Sequence, residues 1–208
     1  MVDRSMKQSD ERAFNRVFGV VLLLGAAGSA FFMANHPTDM NELTRIEAIV
    51  HGAMLIMLLL LASGFSHFAW VLGLQNSLVL IGLISYLASS VFNALAAVIN
   101  GFVVPALAKS NNNGISHEVL DLTWITNQVL ANLAVIATGL GYCLWSAQLT
   151  LERRFWSATA GFIAGLSPLL LLARGGGAMH VETAVVVYIT QVLWAAIVGI
   201  VIYQNSSR

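Results

Sequence analysis

The chain has 208 residues, of which 58% are hydrophobic and only 10% are charged, against roughly 25% charged in a soluble domain. Basic and acidic residues balance to a formal net charge of zero, which gives no sign of a nucleic-acid partner. Uncharged runs of about 20 residues, the length that crosses a bilayer, recur along the chain and exclude a soluble fold. We therefore predict an all-α, polytopic membrane helical bundle.

Six apolar segments predict six transmembrane helices. They cover residues 17–35, 46–64, 77–107, 119–148, 155–173 and 182–203. A charged N-terminal segment, residues 1–16, precedes the first span, and residues 204–208 form a polar tail. The uncharged residues 65–76 are interpreted as the linker between spans two and three. One membrane domain, residues 17–203, thus fills the chain and leaves no room for a separate soluble domain.

The distribution of lysine and arginine predicts that both termini face the cytoplasm. With six spans and the N-terminus inside, seven basic residues fall on the inner side and three on the outer side. The three outer residues are Arg45, Lys109 and Arg174. The N-terminal segment and the polar tail are accordingly expected to be cytoplasmic.

Spans three and four carry more polar side chains than a lipid-facing helix tolerates. The two polar stripes consist of Tyr86, Ser89, Ser90, Asn93, Ala97 and Asn100 on span three, and of Asp121, Gln128 and Asn132, with Asn127 beside them, on span four. Helical spacing puts each stripe on one face, and in hydrocarbon such groups need partners. Either they hold the bundle together by interhelical hydrogen bonds, or they line a cavity for a small polar ligand.

The cavity interpretation takes its hydrogen-bonding groups from the neutral amides of three spans. These amides are Asn93, Asn100, Gln128, Asn132 and Gln191, and Tyr188 lies on the same span as Gln191. Neutral amides select a ligand by hydrogen bonding and supply no coupling to protons or ions. Any coupling would therefore have to come from ionisable residues near the ends of the spans.

Four of the five histidines lie on the predicted outer side, each with a carboxylate close in sequence. Glu47 and His51 are four residues apart at the start of span two and so share a helix face. Asp121 opens span four, and His180 immediately precedes span six. Imidazole combined with carboxylate suits zinc, iron or manganese. We predict a metal or proton site from these four residues, although capping of helix N-termini by acids is a competing explanation for Asp121.

Two further patterns bear on the metal or cofactor. Met33, Met40 and Met179 also fall near the outer side, and thioether ligands would shift a site toward copper(I). His51 and His67 are sixteen residues apart, or about 24 Å along a helix, and therefore cannot ligate one haem iron. Haem is disfavoured, and a divalent metal or copper is the cofactor that the pattern indicates.

One small-residue motif indicates where helices approach closely. Gly161-x-x-x-Gly165 on span five lets another helix come near, either within the bundle or in a homodimer. We expect packing within the bundle.

The His36-Pro37 pair after span one, the polar stretch that follows it and His51 at the start of span two form a recognisable arrangement. It resembles a group of small bacterial multi-span membrane proteins with a His-Pro after the first span. Members of that group carry a tryptophan shortly before the second histidine, where this chain has Ile46 and Glu47. The resemblance implies a helical bundle in the bacterial inner membrane and implies no activity.

These observations lead to one functional hypothesis with two alternatives. The leading hypothesis is an integral membrane protein whose outer-facing polar pocket binds a metal or a small polar ligand and transports it. The first alternative is a non-catalytic subunit that packs against a partner in a larger membrane complex. The second is a membrane metalloenzyme that uses the outer histidine and carboxylate cluster. No catalytic residue is assigned by the sequence.

Overall fold

The computed structural model describes residues 4–35, 45–110, 117–175 and 181–205 of the chain. Seven α-helices account for these residues: α1 Arg4–Ala34, α2 Arg45–Leu72, α3 Ser77–Val98, α4 Val104–Ser110, α5 His117–Leu151, α6 Phe155–Ala173 and α7 Val181–Asn205. The described part of the chain contains no strand. A π-helical turn, Ile99–Val103, joins α3 to α4, so the two helices form one continuous span.

Six stretches of the described helices are long and apolar enough to cross a membrane, which confirms the predicted bundle. They are Asp10–Ala34, Ala48–Leu72, Ser77–Leu107, Glu118–Leu151, Phe155–Ala173 and Thr183–Gln204. Each of the six exceeds the roughly 18 residues that a bilayer core requires. The chain is therefore a multi-pass membrane protein.

The six spans close into a ring. Each span packs on the next one along the chain, from α1 to α2, α3, α5, α6 and α7, and α7 packs back on α1. Successive spans run in opposite directions, so α1 begins at the end of the bundle where α7 finishes. We call this the terminal end and the other one the far end.

Glycines let neighbouring spans approach at backbone distance. A Cβ at Gly139 would lie 2.8 Å from the carbonyl oxygen of Gly165, and a Cβ at Gly141 would lie 3.0 Å from that of Gly82. Gly161 faces the side chains of Ser146 on α5 and Trp194 on α7. Both glycines of the predicted small-residue motif are thus occupied by packing within the bundle, as expected.

A cluster of large aromatic residues fills the ring in the half nearer the terminal end. Phe65 and Trp145 stack with ring centroids 5.5 Å apart, and Tyr86 and Tyr142 stack 6.0 Å apart. Trp194 and Phe68 meet edge to face at 6.3 Å. All six side chains are at most 4% exposed. Residues from α2, α3, α5 and α7 thereby close this half of the bundle; we call it the aromatic half.

The structure corrects one predicted boundary. Residues 65–72 were interpreted as part of a linker, but α2 continues through them to Leu72. Phe65, Phe68, Ala69 and Leu72 are buried in the core, at the spacing that puts them on one helical face. The connection to α3 is a short turn in which Gly73 has a φ of 94° and the Asn76 side chain accepts a hydrogen bond from the Leu78 backbone N–H at 2.9 Å.

Candidate functional site

The half of the bundle nearer the far end contains none of the residues of that aromatic cluster, whereas buried polar side chains occur in both halves. Its buried side chains include a histidine, an amide and two hydroxyls. They are Ser29 on α1, His51 on α2, Asn127 on α5 and Thr183 on α7. Groups of this kind are costly inside a membrane bundle and mark candidate functional sites. We call this region the polar half.

His51 is a residue of α2, and its side chain is buried against the π-helical turn. It is 3% exposed, and its side chain lies directly against Gly101, the only buried residue of that turn among those described. A Cβ at Gly101 would overlap the imidazole, so the glycine is what allows the histidine to sit there. π-Helical turns are rare and occur often at functional sites. The turn includes Asn100, one of the predicted ligand-binding amides.

Asn127 is the most unusual side chain of the polar half. It is fully buried, and neither its amide oxygen nor its amide nitrogen has a hydrogen-bond partner among the described residues. It lies one helical turn from Ala131, which belongs to a small cluster with Val135 on α5 and Val187 on α7. A buried polar group without a partner costs about 1–3 kcal/mol. An amide kept at that cost is a candidate for contacting a ligand.

The five amides that the sequence predicted as ligand-binding residues are half-buried. These residues are Asn93, Asn100, Gln128, Asn132 and Gln191. Gln191 lies one turn from buried Val187 and one turn from buried Ala195, so it shares their inward face. Asn93 lies four residues after buried Ser89 on α3 and donates to its hydroxyl at 3.4 Å.

Part of the polar stripe between α3 and α5 holds the helices together. The Ser89 hydroxyl contacts the carbonyl oxygen of Ala134 at 2.8 Å and also bonds to the Thr138 hydroxyl. Both serine and threonine are buried. Near Ser89 the stripe therefore packs α3 against α5. The cavity interpretation of the stripe nearer the far end stays a prediction.

The structure describes only part of the predicted metal site. Asp121 is exposed and His51 is buried, while the side chains of Glu47 and His180 lie outside the described residues, as do Met40 and Met179. The described residues contain no group of three or more histidine, cysteine, aspartate or glutamate side chains able to hold a metal ion. The metal site therefore stays a prediction. The His36-Pro37 pair of the resemblance also lies outside the described residues.

Asn127 and His67 were not among the predicted site residues, although both side chains are buried in the structure. Asn127 was placed beside the polar stripe and left out of the ligand-binding set, although its spacing from Ala131 and Val135 puts all three on one face. His67 was considered only as a haem ligand. It is buried near the terminal end, where its Nε2 lies 2.8 Å from the Asn15 amide oxygen on α1.

The fold defines a class: a multi-pass helical membrane protein with buried polar side chains. The chain matches no protein-family model, no curated protein and no solved structure.

Proposed function

We propose that this protein binds a small, neutral, hydrogen-bonding solute in the polar half of the bundle. The observation that carries the proposal is the fully buried Asn127 amide, which has no hydrogen-bond partner among the described residues. An amide offers one acceptor and two donors, so a solute with both donor and acceptor groups would satisfy it.

The surrounding residues support a neutral solute. Half-buried amides occur on other spans, such as Asn100 and Gln191, and amides recognise ligands by hydrogen bonds. The carboxylate of Asp121 is exposed. A buried unpaired charge would demand a partner of opposite sign, whereas a neutral solute needs only matched hydrogen bonds.

The closed packing of the aromatic half supports entry of the solute from the far end of the bundle. Phe65, Tyr142, Trp145 and Trp194 are each at most 2% exposed, so they seal the bundle between the polar half and the terminal end. In this conformation the solute would enter from the far end, which is the predicted outer side. Transport across the membrane would require the aromatic half to open in a second conformation.

Thermal unfolding of the purified protein in detergent, with and without candidate solutes, tests the proposal. We would use urea, acetamide, glycerol and erythritol as probes. A solute present at ten times its Kd stabilises the folded state by about 1.4 kcal/mol and raises the unfolding midpoint. We expect at least one probe to stabilise the wild type and to lose its effect in Asn127→Leu.

Ser146→Ala is the matched control. The Ser146 hydroxyl is also buried without a hydrogen-bond partner among the described residues, but it lies in the aromatic half against Gly161. Stabilisation by the probe should persist in this variant. A probe that stabilises Asn127→Leu as strongly as the wild type, or a panel without any effect, would contradict the proposal.

A further inference from the structure

A separate feature lies at the terminal end, where α1 and α2 form an open groove. The groove has a volume of about 420 Å³ and is lined by Asp10, Glu11, Phe14, Phe18, His67 and Trp70. Its size falls within the range of small-molecule sites. It lies at the opposite end of the bundle from the polar half and is independent of the function proposed above.

Four rings form a continuous stack along the groove. Phe14 stacks on Phe18 with centroids 6.4 Å apart, Phe18 on His67 at 4.4 Å, and His67 on Trp70 at 5.4 Å. The planes of neighbouring rings differ by 13°, 14° and 27°. Phe14 is 58% exposed and Trp70 is 53% exposed, so the stack presents ring surface to a ligand at both of its ends.

His67 holds the stack in place. It is only 9% exposed, and its Nε2–H donates to the amide oxygen of Asn15 at 2.8 Å. This hydrogen bond ties α2 to α1 and fixes the plane of the imidazole between Phe18 and Trp70. His67 and Asn15 are therefore positioning residues for the aromatic wall.

Charges of both signs occupy the face of α1 that carries Asp10, because Lys7 precedes Asp10 by three residues and Glu11 by four. Asp10, Phe14 and Phe18 follow each other at steps of four and so lie on one face, with Glu11 beside them. Arg12 and Arg16 are also four apart, but helical geometry turns them roughly 150–180° away from that face. Asp10 and Glu11 border the groove, whose exposed lining is almost wholly apolar, and the two arginines lie on the other side of α1.

We propose that this groove binds an organic cation, such as a quaternary ammonium group with an apolar body. Aromatic faces attract cations through their quadrupole, and this is how proteins recognise choline-like groups. Asp10 and Glu11 place negative charge at the edge of the groove. The cation is either the headgroup of a membrane lipid or a free molecule, since the groove lies where a span meets the membrane boundary.

The test uses benzyltrimethylammonium as the probe and 3,3-dimethylbutan-1-ol as a neutral control of similar shape. Binding is measured by calorimetry on the full-length protein in nanodiscs of phosphatidylglycerol, a lipid without an amine. We expect the cation to bind and the alcohol not to bind. Trp70→Leu, which keeps an apolar side chain but removes the ring, should weaken cation binding about 3- to 30-fold.

Three variants complete the design. The double variant Asp10→Asn with Glu11→Gln removes the charge of the mouth and should also weaken binding. Phe14→Leu changes an exposed ring and gives a second probe of the stack that leaves the buried core untouched. Trp156→Leu is the control, because Trp156 is 91% exposed at the same end of the bundle and lies outside the groove.

Repeating the titration in nanodiscs that contain phosphatidylcholine separates the two sources of cation. Competition by this lipid identifies the groove as a headgroup site, and its absence identifies a site for a free cation. Equal binding of the cation and the alcohol, or cation binding that Trp70→Leu leaves unchanged, would overturn the proposal. Phe14 and Trp70 would then serve only as aromatic anchors at the membrane interface.

Discussion

The imidazole of His51 on α2 lies in the space that the missing side chain of Gly101 leaves in the π-helical turn. This contact joins the start of α2 to the segment between α3 and α4, close to the amide of Asn100. It places an ionisable group at the edge of the polar half and makes the local geometry sensitive to a single methyl group.

Gly101→Ala should destabilise the protein by about 1–3 kcal/mol, because the added methyl overlaps the buried His51 side chain. Thermal unfolding in detergent measures the change. Gly52→Ala is the matched control, since the nearest atom to its added Cβ is on Phe102 at 3.9 Å, an ordinary contact. That variant should be neutral or slightly more stable. Equal effects of the two substitutions would show that His51 and Gly101 are not packed as described.

Asn127→Leu should raise the free energy of unfolding by about 1 kcal/mol, because it removes a buried amide that has no hydrogen-bond partner among the described residues. Asn76→Leu is the contrasting variant. The Asn76 amide donates to Gln148 at 2.7 Å and caps α3, so its loss should cost about 1 kcal/mol. Denaturation of both variants in the same detergent checks the opposite signs. A destabilised Asn127→Leu would mean that the amide is bonded in the folded protein.

The six spans and the polar face of α3 could be predicted from the sequence. Apolar runs of sufficient length gave the six spans, and the spacing of Ser89 and Asn93 gave a polar face that meets α5. The continuation of α2 through residues 65–72 was missed because an average span was already complete at residue 64. The spacing of Phe65, Phe68 and Leu72 was the available signal.

The aromatic cluster, the π-helical turn and the burial of the Asn127 amide depend on how helices pair in space. Trp145 and Trp194 come from different spans, and nothing in their local sequence indicates that they meet Phe68 in one cluster. The π-helical turn has no sequence signature beyond a glycine in an apolar run. The isolation of the Asn127 amide is equally invisible in the sequence, because it depends on which residues pack around that amide in space.

Gly165→Ala should destabilise the bundle because the added Cβ would lie 2.8 Å from the backbone oxygen of Gly139, which cannot move aside without separating α5 from α6. We expect a cost of about 1–3 kcal/mol. In Gly28→Ala the obstacle is the flexible thioether of Met57, so the cost should be smaller. Thermal unfolding compares the two variants. A Gly165→Ala protein as stable as the wild type would contradict this close approach.

The hydrogen bond between Ser89 and Thr138 should contribute about 0.6 kcal/mol, the average for such bonds between membrane helices. A double-mutant cycle of Ser89→Ala and Thr138→Val isolates the coupling energy. A coupling of zero would show that the two hydroxyls do not interact in the folded protein.

Under the proposed function, a water-soluble molecule reaches the polar half of the bundle and does not reach the aromatic half. Cysteine labelling tests it directly, because Cys143 is the single native cysteine and can be replaced in Cys143→Ser. Gln191→Cys and Ala195→Cys are introduced separately in this background, one helical turn apart on α7. Each is treated with a membrane-impermeant cationic methanethiosulfonate. We predict fast labelling at position 191 from the predicted outer face, and no labelling at position 195. Labelling at 191 that is no faster than at 195, from either face of the membrane, would contradict the account.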